Sequence, residues 1–170
     1  MDPEVRPMRS RFLENLAYLV PGYEGYKERE RRRDEDSRFR ALLLRRLGEI
    51  RSTVVDLVAR LAEGPDDAGT GEVETRGRTL DSLADAIRYA PYGFSGFFDA
   101  AAIGEATLDR ILEIDLLLFE DLDRIEQILL GSEHFTSRRS KLLTFLGRLD
   151  EAIDRFEQHL IQRDKTLGDA

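Results

Sequence analysis

The chain contains no cysteine. Disulfides, thiolate metal sites and a cysteine nucleophile are therefore excluded. Histidine is nearly as scarce: there are two, His134 and His159. A di-iron carboxylate bundle needs Glu-x-x-His pairs on two helices. The residues three places before these histidines are Gly131 and Phe156, so neither fits. No metal and no cofactor is expected. Lysine occurs only at Lys27, Lys141 and Lys165, and arginine carries the rest of the positive charge, which reads as compositional bias before chemistry.

Long apolar runs are also missing. Nothing approaches the roughly 20 residues that span a bilayer. The N-terminal MDPEVRPMRSRF lacks the apolar core of a secretory signal, so a cytoplasmic location is expected. Excess positive charge is absent too. The net charge is −8, and an acidic body argues against nucleic-acid binding by phosphate neutralisation. No Gly-x-x-x-x-Gly-Lys phosphate loop occurs. Ser95 stands in Gly93-Phe94-Ser95-Gly96, which is not a nucleophile elbow. An enzyme is the less favoured class.

What is present is helical periodicity. Over Glu105–Leu130, Leu108, Ile111, Leu118, Leu122, Ile125 and Leu129 share one face at about 100° per residue. Leu112, Ile114, Leu116, Leu117 and Phe119 widen that face. A helix so apolar belongs at the centre of a bundle. Asp115 interrupts it. A buried carboxylate needs a cationic or hydrogen-bonding partner, and Arg88, Arg46 and Tyr92 are the candidates. Asp115 then either fixes helix register or holds a ligand in a polar site beside the 91–104 loop.

Three further helices follow from similar stripes. One spans about Tyr26–Glu63, with Phe39, Leu43, Leu47, Ile50, Val54, Leu57 and Leu61 aligned. Gly64-Pro65 stops it. The next covers about Glu74–Ala90, and the last about Ser137–Arg163, where Leu142, Phe145, Leu146, Leu149, Ile153, Phe156 and Leu160 repeat as in a coiled coil. A short N-terminal helix over Met8–Leu19 ends before Pro21. The expected fold is an all-α antiparallel bundle of four main helices plus this short one. It forms a single domain over 8–165, with flexible tails at 1–7 and 166–170.

Residues 27–38 (KERERRRDEDSR) comprise eleven charges and one serine. They have no apolar face and read as a charged, solvated helical extension supported by i,i+4 pairs. Alternatively they are a docking arm. The glycine–aromatic segments 21–26 and 91–104 should share one pole if successive helices alternate in direction. Tyr23, Tyr26, Arg31, Arg32, Phe94 and Phe97 then form the best candidate interaction surface.

Two segments, Val20–Arg40 (VPGYEGYK and its arginine-rich continuation) and Ile87–Asp99 (IRYAPYGFSGFFD), together about a fifth of the chain, resemble a pattern found in bacterial proteins of unknown function. The resemblance implies that the two turns form one recurring unit, and it assigns no activity or ligand. The favoured reading is a non-enzymatic interaction or adaptor protein that meets a protein partner or forms a homo-oligomer. The other is a small-molecule- or metal-binding bundle with its site near Asp115.

Overall fold

A computed structural model describes residues 18–19, 31–63, 69–90, 103–134 and 139–169. Among them are four helices and no strand: α1 (Arg32–Ala62), α2 (Thr70–Tyr89), α3 (Glu105–Leu130) and α4 (Arg139–Gly168), with a 3₁₀ turn, Gly131–His134, after α3. The fold is all-α. None of these helices is long and apolar enough to cross a membrane.

The buried stripes match the periodicity. On α1, Phe39, Leu43, Leu47, Ile50, Val54 and Leu57 are buried, and on α3 so are Leu108, Ile111, Leu112, Ile114, Leu118, Phe119, Leu122, Ile125, Ile128 and Leu129. The ends suit the helix dipole, whose positive pole favours acids and whose negative pole favours bases. α1 has Asp34 and Glu35 in its first turn and Arg60 in its last, and α2 has Glu72 and Arg88 in the same places.

Two boundaries differ from the sequence reading. α2 begins at Thr70 because Gly69 caps it in a left-handed conformation, φ 100°, where only glycine sits without strain. Its carbonyl accepts the Val73 N–H at 2.9 Å. α4 runs on to Gly168 where a flexible tail was expected. Leu167 is buried, which rewards the extra turn, and Thr166 Oγ1 donates to the Gln162 carbonyl at 2.8 Å. The expected helix over Met8–Leu19 lies outside the described residues except for Tyr18 and Leu19, which are helical.

The chain divides into two compact units. The first draws on 31–42, 103–118 and 159–169, hence on α1, α3 and α4. The second draws on 43–63, 69–90, 119–134 and 139–158, hence on all four helices. Within the second unit, cross-helix ion pairs set the neighbours. Arg51 Nε meets Asp81 at 3.0 Å, and a Cβ added at Gly77 would come within 3.1 Å of Val54. Both contacts join α1 to α2. Arg76 grips Asp150 through Nε and Nη2 at 2.8 and 2.6 Å, joining α2 to α4. Arg46 Nη2 reaches Asp123 at 2.7 Å and Glu126 at 2.9 Å, joining α1 to α3.

Candidate functional site

The first unit holds the densest buried chemistry. Asp36, Phe39 and Arg40 occupy positions i, i+3 and i+4 of α1, so they share one helix face. Asp115 projects from the apolar face of α3. Arg163 stands on α4 in register with Phe156, Leu160 and Leu167, all buried. These side chains converge on Arg163, whose Nε donates to Asp115 Oδ1 at 2.6 Å and whose Nη2 donates to Asp36 Oδ1 at 2.7 Å. The second oxygen of Asp36 accepts Arg40 Nε at 2.9 Å. The guanidinium of Arg163 also stacks on the Phe39 ring, 4.6 Å from its centroid.

Burial is close to complete: Asp36 and Asp115 are 0% exposed, Arg163 1% and Arg40 6%. Two anions and two cations alternate as Asp115–Arg163–Asp36–Arg40, and their formal charges cancel. This balance is what permits burial, because an isolated ion in an apolar interior costs several kcal/mol even after relaxation. A guanidinium suits the role better than an ammonium. It stays charged, presents N–H donors in a fixed plane and stacks on aromatic rings. Just outside the core, Asp164 has its carboxyl raised above the ordinary value of 3.8 by desolvation. Arg40 and Arg163 oppose that rise, and Asp36 adds to it.

The buried character of α1 thus begins before its apolar stripe. Residues 27–38 were expected to be solvated, yet Arg32, Glu35 and Asp36 are buried. Arg33, Asp34, Ser37 and Arg38 face outward. Glu35 Oε1 accepts Arg38 Nη1 at 3.3 Å. The segment is amphipathic with charges on both faces, so hydropathy alone misses its inner side.

The candidates named from the sequence separate. Asp115 is buried and ion-paired, and its cation is Arg163. Arg46 bonds Asp123 and Glu126. Arg88 is exposed and bonds Asp85 on its own helix at 2.6 Å. Arg32 is buried and Arg31 half-buried. Tyr23, Tyr26, Tyr92, Phe94 and Phe97, and with them the proposed shared pole of the two glycine–aromatic segments, lie outside the described residues. Sequence reasoning passed over Asp36, Arg40 and Arg163. The available signal was positional: Asp36 and Arg163 each extend an apolar stripe by one more turn.

Chemically the quartet is a lock. Asp36 has both oxygens bonded to guanidinium groups, an arrangement that holds helices in place. Among the described residues, no three His, Cys, Asp or Glu side chains come together in a way that could hold a metal ion. An open depression of about 300 Å³ lies beside Ala106, Thr107, Arg110, Thr166 and Asp169, with one cation and one carboxylate at its wall.

Compared with known proteins, the chain matches no family model, no curated protein and no solved structure.

Proposed function

We propose that this chain is a non-enzymatic helical interaction protein and that its contact surface is the outward face of α1. The buried quartet is the anchor that holds that helix in place. One observation carries the reading. In a chain with 35% charged residues, the outward line of α1 from Ser37 to Ala59 exposes a run of uncharged side chains, with Val55 51% exposed. Solvated helices of charged proteins ordinarily carry their charges on that side, so an uncharged outward line on so charged a helix favours contact with another macromolecule.

Proximity labelling in the native host tests this reading. The wild-type chain and an Ala41→Glu/Val55→Glu variant, both fused to a labelling enzyme, should mark different sets of proteins, with helicity by circular dichroism unchanged. Identical labelling by the two, together with identical mass in solution by light scattering, would remove the reading.

A further inference from the structure

We infer that the occupant of the outward face of α1 is the same face of a second copy of this chain, with the two helices crossing antiparallel about a two-fold axis near Gly48. This rests on the interaction reading above and names the partner.

The face is geometrically simple. Ser37, Ala41, Leu44, Gly48, Ser52, Val55 and Ala59 recur every three or four residues and lie within about 40° of one line along the helix. All are exposed except Leu44, which is half-buried. They belong to one uninterrupted helix.

The charges beside this line identify the partner. Along one edge, in chain order, stand Asp34, Arg38, Arg45, Glu49, Asp56 and Arg60. About Leu47 they form three equidistant pairs: Arg45 with Glu49, Arg38 with Asp56, and Asp34 with Arg60. Every pair is of opposite sign. In an isologous contact residue i meets residue j while j meets i. In an antiparallel helix pair each edge meets its own counterpart. A two-fold at this level therefore sets every charge of the edge opposite its complement on the mate. Arg45 and Glu49 already pair within the chain at 3.3 Å, so two copies would merge those pairs into a four-charge network.

Gly48 supports the same geometry. It lies in the interior of a helix, where glycine weakens the helix relative to alanine. A Cβ placed on it would meet nothing within 4 Å, so nothing in the chain itself requires a glycine there. The open space there admits the close approach of a second backbone at the crossing point.

Charge reversal tests the inference. Sedimentation equilibrium and light scattering should find the wild type dimeric. Arg38→Glu/Arg45→Glu makes all four central charges of the edge negative, and Glu49→Arg/Asp56→Arg makes all four positive. Each variant alone should be monomeric with native helicity, and an equimolar mixture should return to the mass of a dimer. A monomeric wild type up to its solubility limit, or a mixture that stays monomeric, overturns the second copy as partner. A photoreactive residue in place of Ser52 in the native host separates the two readings. A crosslinked species of twice the chain mass supports self-association. A species of another mass overturns it while leaving the interaction reading standing. No crosslinked species overturns both.

Discussion

Arg163 and Asp115, on α4 and α3, meet at 2.6 Å with both side chains shut away from solvent. The same guanidinium holds Asp36 of α1 at 2.7 Å. One side chain thus joins three helices, and its removal should be felt by all of them.

Arg163→Met would leave two buried carboxylates without the cation they share. Breaking a buried pair by removing one partner costs about 3–5 kcal/mol, and urea denaturation should register a loss of that order. Adding Asp115→Leu to Arg163→Met removes one of the two buried carboxylates that lost the cation. The double variant should therefore be more stable than Arg163→Met alone, a sign that additive losses cannot produce.

Asp164 yields a pH prediction. Its carboxyl is raised above the ordinary 3.8, mainly by desolvation. In the window between its unfolded and folded values the native state binds more protons than the unfolded one. Stability contributed by this group therefore falls as pH rises through that window and stays lower above it. Asp164→Asn should melt higher than wild type near neutral pH, and the advantage should shrink as pH drops toward the ordinary carboxylate range. Parallel melting curves across pH measure this.

Two glycines should respond in opposite directions to the same substitution. Gly69 caps α2 at φ 100°, and a Cβ there would collide with Leu142. Gly69→Ala should cost about 1–2 kcal/mol from the left-handed backbone alone, with the collision in addition. Gly147 lies exposed inside α4, and an added Cβ meets nothing within 4 Å. Gly147→Ala should stabilise by about 0.5–1 kcal/mol. Thermal melts of the two variants decide both signs.

The two-pronged Arg76–Asp150 pair joins α2 to α4 at 2.6 Å, but Asp150 is half exposed. A double-mutant cycle with alanine should return a coupling of about 1 kcal/mol or less, falling further in high salt as the Debye length shortens. A larger, salt-insensitive coupling would mean that water is excluded from this pair.

The helices were legible because their evidence is periodic and local. The bounds of α3 follow from the apolar residues of Glu105–Leu130, and the start of α1's apolar stripe at Phe39 from the same rule. Asp115 stood out because it broke such a stripe, and the need for a cationic partner followed from the cost of burying a carboxylate. Which cation answers is a tertiary fact. Arg46, Arg88 and Arg163 are chemically identical, and only the packing of α1, α3 and α4 selects the last. Asp36 was hidden for another reason. It sits among ten other charges, where a hydropathy pattern has no contrast with which to mark one side as inner.

Arg163 is separated from Asp36 by 127 residues and from Asp115 by 48. On the ribosome both acids are made well before the base that neutralises them. Until Arg163 has been added, the nascent helices lack the guanidinium that those carboxylates share. Closing so long a loop is entropically slow, so the ionic lock should fasten among the last events of folding, after the apolar stripes have met.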